Sequence, residues 1–180
     1  SKNIKKIKPL KKKHFKNIRI IWIGRLSEEK SFDTMIDAIN IIKDQDITVN
    51  VLSNLNNINR YLKKIKNLKL VNKFKFLGYK NNLTEYFKTS NLCISTSFYE
   101  SFPNSVVQAI NNSLPIISSN SHGGINDLIK NNYSGVFFKT NEPHDLANKI
   151  LNFNVNQKRY INYAYNAHKN LKKFKFDKIE

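Results

Sequence analysis

The sequence predicts an α/β fold: a doubly wound, Rossmann-like parallel sheet of about six strands with helices on both faces. Two observations predict it. Short β-branched runs, apolar on both faces, alternate along the chain with segments of helical period. Strands joined through helices form right-handed crossovers, and these build parallel sheets covered on both sides. The 180 residues suffice for one such domain, and no repeat of fixed period is present.

Residues 1–17 are basic, carry Pro9 and have little to bury; they read as a linker or N-terminal extension. The domain proper is expected over 18–155, beginning with IRIIWIG (18–24) as a buried strand. FDTMIDAINIIK (32–43) places Phe32, Met35, Ile36, Ile39 and Ile42 at helical spacing. ITVNVL (47–52) reads as a strand, INRYLKKIKNLKLV (58–71) as a helix and KFKFLG (73–78) as a strand. LTEYFKTS (83–90) is a short helix, LCIST (92–96) a strand and SVVQAINNS (105–113) a helix. PIISS (115–119), INDLIKN (125–131), GVFF (135–138) and PHDLANKILNF (143–153) continue strand, helix, strand, helix. The remainder, 156–180, holds a polar helix from about Gln157 to Lys173 with a Tyr/Ile/Leu seam, followed by a basic tail.

The charge balance is the compositional outlier: 31 Lys and Arg against 13 Asp and Glu, for a formal +18. Such a surface attracts nucleic acid, phosphorylated small molecules and acidic lipid headgroups alike. Lys and Asn are abundant throughout, as in a lysine-rich proteome, so charge alone assigns no function. A nucleic-acid partner is not expected, because KIKPLKKKHFKN interleaves only Phe15 with its cations and matches no RNA motif. The single cysteine, Cys93, has no internal disulfide partner and lies in an apolar run, which suits an inert core thiol in a reducing compartment. No apolar stretch approaches the roughly 18 residues of a membrane span, and the basic opening lacks a signal-peptide core. The chain starts without Met, consistent with a piece of something longer.

In doubly wound sheets ligands sit outside the carboxyl ends of the strands, so the strand exits are where chemistry is expected. After the first strand come Gly24, Arg25 and Lys30, before a helix that starts near Ser31 with Ser27 or a neighbour as cap. Free N–H groups at a helix start favour anions, and the two cations suit a diphosphate. Ordinary pairing with Glu28, Glu29 or Asp33 explains the same cations. Neither G-x-G-x-x-G nor a Walker loop is present. After LCIST, Glu100 has no local capping task; it is either a solvated loop acid or an acceptor for polyol hydroxyls. Ser105 and Gln108 have the spacing of a capping box. Gly123-Gly124 permits close backbone approach to a ligand or a positive φ, and His122 beside it is a phosphate contact or a solvated loop residue.

The order GRLSEEKSFDTMIDAI, KFKFLGY, SFYESFPNSVVQAINNSLPIISSNSHGGINDLI, SGVFF resembles the carboxy-terminal domain of the retaining group 1, or family 4, glycosyltransferases, which have the two-domain GT-B fold. The likeness runs from about Arg19 to Ile150 and implies a nucleotide-sugar donor site. It assigns Arg25 and Lys30 to the donor diphosphate and leaving group, and Glu100, the first acid of an E-x7-E motif, to sugar hydroxyls. It also implies that Gly24 and the Phe102, Pro103, Asn104 and Ser105 loop line the donor, with Gly78 and Tyr79 near the nucleobase. Three departures stand out. Gln108 occupies the second acid position and can accept a ribose hydrogen bond only as a neutral amide; Ser31 replaces a glycine; and VLSNLNN replaces a glycine-rich turn.

The same resemblance implies a UDP- or GDP-sugar donor, a hexose-type sugar and a polysaccharide, lipopolysaccharide or glycolipid acceptor. No cofactor or metal is expected, with the two cations in a metal's place. The D-x-D at Asp44–Asp46 lies between a helix and a strand, away from the ligand loops, and reads as a solvated turn. The amino-terminal acceptor domain of the family has no room in this chain, so the fragment alone is expected to be inactive and its last helix to pack back toward that missing partner. A cytoplasmic location follows, with the surplus charge holding the protein at an anionic membrane face. A degenerate binding module that has lost catalysis is the alternative that Gln108 suggests.

Overall fold

The structure, a computed structural model, describes residues 17–100 and 103–176. The strands are β1 (Ile18–Ile23), β2 (Ile47–Leu52), β3 (Phe74–Phe76), β4 (Leu92–Ser95), β5 (Tyr99–Glu100), β6 (Ile116–Ser119), β7 (His122–Gly123) and β8 (Val136–Phe138). The helices are α1 (Phe32–Ile41), α2 (Ile58–Asn67), α3 (Thr84–Thr89), α4 (Asn104–Asn111), α5 (Ile125–Leu128), α6 (Pro143–Val155) and α7 (Gln157–Phe176). Six strands form one parallel sheet in the order β3-β2-β1-β4-β6-β8. The chain winds outward from β1 to one edge, then returns to β4 and winds to the other.

Two-residue periodicity sends alternate side chains into two cores. Ile18, Ile20 and Trp22 of β1 join Val49 and Val51 of β2 under α1, α2 and α6. Phe32 centres this core, its ring 4.6 Å from Trp22 and 5.4 Å from Tyr61, and each such buried side chain contributes roughly 1.5–3 kcal/mol. On the other face Ile21, Cys93 and Ile116 meet α3, α4, α5 and α7. Burial pushes the Cys93 thiol up to about 12, so it stays protonated and unreactive. This second face is less complete: Arg19 is exposed, donating its backbone N–H to the Asn91 side chain and its guanidinium to the Thr89 carbonyl. The first strand is therefore not apolar on both faces along its whole length.

Several boundaries move inward from the sequence reading. The helix expected over 58–71 ends at Asn67, because Lys69 turns left-handed with φ 59°. The one expected over 125–131 keeps only Ile125–Leu128. The loops at 97–104 and 120–124 contain a two-residue parallel ribbon, β5 with β7, too short to leave a periodic signal. The seam of α7 (Tyr160, Ala164, Ala167 and Leu171) is buried against this domain's own elements. This face of the helix packs inward, while Tyr165 on the same helix is exposed. The basic residues 1–16, the last four residues and Phe102 lie outside the described residues. Among the described residues no helix is long and apolar enough to cross a membrane.

Candidate active site

Strand order changes direction between β1 and β4, and a parallel sheet parts its crossover loops at such a point. A cleft of about 530 Å³ opens there, outside the carboxyl ends of β1, β2 and β3 and against α4. Gly24, Arg25, Lys30, Tyr79, Glu100, Asn104, Ser105 and Gln108 all line it. These residues come from four separate stretches of sequence. Gly78 and Pro103 do not line it: Gly78 supplies a turn with φ 74°, and buried Pro103 precedes α4.

The β1 exit is built on Trp22. A Cβ at Gly24 would lie 3.2 Å from the indole ring and 3.6 Å from Lys30 Cγ, so glycine lets the loop seat closely. Glu28–Lys30 form one 3-10 turn; Ser27 precedes it but its side chain caps nothing. Ser31 then takes a left-handed conformation (φ 46°, ψ 50°) that costs a non-glycine residue roughly 1–2 kcal/mol. Its hydroxyl bonds Thr34 Oγ1 at 2.7 Å, partly offsetting that cost. The glycine-to-serine departure is therefore a backbone matter as well as a change at a helix start.

The two cations differ. Arg25 pairs with Glu29 on the exposed rim, the ordinary pairing, and such pairs stabilise by about 1 kcal/mol or less, which leaves the guanidinium available to a stronger anion. Lys30 turns into the cleft and pairs with Glu100; their side chains are only 16% and 19% exposed. Glu100 is thus neither a free solvated acid nor a helix cap. Ser97 Oγ also donates to its carboxylate, at 3.4 Å.

Hydrogen bonds, from the interior out to the surface, tie these loops together. Trp22 Nε1 donates to Thr96 Oγ1 at 3.0 Å, and Thr96 Oγ1 donates onward to the Lys30 carbonyl at 2.6 Å. Phe98 N–H donates to the Glu29 carbonyl at 2.8 Å, and Ser119 Oγ to the Ser97 carbonyl at 2.5 Å. The paired glycines lie on this framework: Gly124 N–H donates to the Glu100 carbonyl at 3.0 Å, and the His122 backbone pairs with Tyr99. The His122 side chain lies outside the described atoms.

Helix α4 begins at Asn104 with no side-chain cap, so Ser105 and Gln108 do not form the capping box their spacing suggested; both face the cleft. Ser53 and Asn54 after β2, and Lys80 and Asn81 after β3, also line it. Ser53 and Asn54 belong to the VLSNLNN turn, and Lys80 and Asn81 follow Gly78; a place at a strand's carboxyl end is the sequence signal that marks all four. Lys80 joins Arg25 and Lys30 around a single acid, Glu100, so the cleft is built for an anion. Asp46 of the D-x-D accepts from Asn17 Nδ2 at 2.6 Å beside the start of β1, the sheet end opposite the cleft. Among the described residues no three His, Cys, Asp or Glu side chains group as metal ligands.

An all-parallel doubly wound sheet, with cations from one crossover meeting an acid from another at its switch point, defines a Rossmann-like domain. The family model for Glycosyl transferases group 1 matches residues 3–170, and the chain belongs to that family. It is 26% identical over 127 residues to the amylovoran biosynthesis glycosyltransferase AmsD of Erwinia amylovora, covering 71% of this chain and 36% of that protein. With the poly(ribitol-phosphate) alpha-N-acetylglucosaminyltransferase of Staphylococcus aureus it shares 24% over 162 residues, 88% of this chain and 33% of that one. The crystal structure of Anabaena HepE in complex with UDP-glucose superposes with a TM-score of 0.79 at 25% identity, over 87% of this chain and 44% of that one. The chain therefore spans between a third and a half of the length of these relatives.

Proposed function

We propose that this domain holds the nucleotide-sugar donor of a retaining, metal-independent glycosyltransferase. The observation that carries the reading is the meeting of Lys30 and Glu100, seventy positions apart in sequence, inside the switch-point cleft. A donor diphosphate laid across the β1 exit would take Arg25 and Lys30, and the sugar hydroxyls would take Glu100. Asn104, Ser105 and Gln108 would border the donor on the α4 side, and Tyr79 the base.

Breaking the bond between anomeric carbon and phosphate oxygen leaves the electron pair, and new negative charge, on the diphosphate. Fixed cations there stabilise the transition state without reorganising. The acceptor oxygen then bonds the anomeric carbon, and its proton passes to the departing diphosphate oxygen that took the electron pair. UDP is the favoured nucleotide, supported by the UDP-glucose complex of the Anabaena relative; GDP is the competitor. A hexose-type sugar and a polymer acceptor are supported by the name of the Staphylococcus relative; a polysaccharide, lipopolysaccharide or glycolipid acceptor is the wider proposal that family membership carries. The 180-residue chain by itself is expected to bind donor weakly and to transfer nothing. The excess of cations would hold the protein at an anionic cytoplasmic membrane face, and equal binding to neutral and anionic vesicles would exclude that.

Thermal-shift titration of the chain against nucleotides and nucleotide sugars tests the reading. A shift with UDP- or GDP-sugars, reduced by Lys30→Ala, supports it; no shift with any of them refutes it. Gln108 favours a second reading, a binding module without catalysis, because a neutral amide replaces an acid at the cleft wall. In the longer protein Gln108→Glu separates the two. A gain from no activity marks the module, whereas an active parent gaining about tenfold or less marks an enzyme tuned by one hydrogen bond.

A further inference from the structure

The pair Gly123-Gly124 sits on the β6–α5 crossover, and among the described residues nothing on that crossover lines the cleft. The close approach that Gly123 makes is to backbone. The two glycines face the back of the Glu100 loop. Glu100 stands opposite Gly123 in the β5–β7 ribbon. Gly123 has φ 117°, a region open to glycine and rarely to other residues. A Cβ there would overlap the Glu100 carbonyl oxygen and lie 2.9 Å from its carbon. Gly124 adds the 3.0 Å bond from its N–H to that same carbonyl.

We infer that Gly123 and Gly124 are positioning residues that set where the Glu100 carboxylate stands in the cleft; this deepens, and rests on, the donor-site reading. A two-residue ribbon has no stability of its own. Its place is fixed by what flanks it, and the end of β6 with the crossover after it holds both ends of the acid loop. Ser119 fastens Ser97 at one end, and the glycines fasten Glu100 at the other. With its backbone clamped from behind, the Glu100 side chain reaches forward to Lys30 and Ser97. Sugar-acid geometry is thereby governed by a segment that touches no donor atom. Any side chain at 123 moves the acid away from Lys30.

A donor-independent readout is carbodiimide coupling of Lys30 to Glu100 in the 180-residue chain, quantified by mass spectrometry. Gly123→Ala forces the displacement. Gly124→Pro, at a φ of −68° that proline adopts, removes the N–H and sets the ring Cδ against the Glu100 carbonyl in its place. Gly135→Ala is the control for general destabilisation, since its Cβ would meet Ile129 at 2.8 Å near the opposite end of the sheet. Coupling is expected to fall about tenfold in the first two variants and to persist in the control, the scale of losing one charge-assisted contact. For any nucleotide sugar the parent binds, Gly123→Ala should erase the preference over the free nucleotide and leave nucleotide affinity within about twofold. In a Glu100→Ala background it should change neither, the non-additivity of residues acting through one another.

If Gly123→Ala does not fold, Gly124→Pro decides. Absence of coupling in the parent, retention of coupling in folded variants, or equal loss in Gly135→Ala each overturns the inference. A parent that binds no nucleotide or nucleotide sugar refutes the donor-site reading instead, while the coupling still judges the placement of Glu100.

Discussion

The two walls of the cleft are built to different standards. The wall formed by the β1 and β4 exits is cross-braced by hydrogen bonds: Trp22 to Thr96 and Ser119 to Ser97 in the interior, Thr96 to Lys30 half-buried, and Phe98 to Glu29 at the surface. The wall formed by the β2 and β3 exits is open. Tyr79 is 74% exposed, and among the described residues the side chains of Asn54, Tyr79, Lys80 and Asn81 form no hydrogen bond. The braced wall carries the groups that would meet developing charge, where misplacement by a fraction of an ångström lowers the rate. Its opposite carries groups that would recognise a flat base, a task that tolerates adjustment on binding. Rigidity follows the demand for geometry.

The largest expected effect strikes the braced wall directly. Lys30→Ala removes the inward cation and leaves Glu100 unpaired in a largely buried site. Transfer by the longer protein should fall on the order of 10²- to 10³-fold, with a smaller loss in donor affinity, as measured by kcat and KM. A drop confined to KM would mean that Lys30 binds ground state and transition state alike. Next is Thr96→Val, which keeps shape but leaves the Trp22 N–H and the Lys30 carbonyl without their partner. Urea unfolding should show a loss of about 1–3 kcal/mol. Donor affinity should fall as well, although Thr96 does not line the cleft. Loss of stability without any change in donor binding would mean that the bracing does not position Lys30. Smaller again is Tyr79→Ala on the open wall. Stability should stay within about 0.5 kcal/mol, and nucleotide affinity should drop roughly five- to tenfold if the ring stacks on a base. An effect as large as that of Lys30→Ala would erase the contrast between the walls.

The alternation of apolar runs with helical stripes disclosed the sheet, because both carry a period that sequence displays directly. The cations and Glu100 were also legible: polar residues at strand exits, in an order resembling a known family. What escaped were relations without a period. Thr96 looked like the last residue of a strand, yet it is the strut between two loops. Gly123 announced a positive φ but not its neighbour, since a contact with residue 100 depends on how β4 and β6 pair. Ser105 and Gln108 matched a local capping pattern, and the tertiary setting turned them toward the cleft. Ser31 concealed its left-handed backbone behind a side chain that seldom adopts one. Local rules located the parts, while their mutual distances belong to the packing.

The smallest expected effect marks where the braced wall ends. On the outer side of α1, Asp33 accepts from Arg60 and from Lys64, and Lys64 also reaches Asp37. Burial would by itself raise the Asp33 carboxyl, but the hydrogen bonds from Lys64 and Arg60 outweigh it and hold it below the usual carboxylate value. A carboxyl lowered in the folded state stabilises above the unfolded value of about 3.9, and that contribution disappears as pH falls through the folded value. Asp33→Asn should therefore cost about 1 kcal/mol or less at pH 7, with the two proteins converging in stability as pH falls through the folded value. Urea melts across that range measure it. Nucleotide affinity at pH 7 should be unchanged, because Lys30 is held by Thr96 and Glu100 rather than by the helix that follows it. A fall in affinity as large as that from Thr96→Val would place α1 among the braces and redraw the boundary between the two walls.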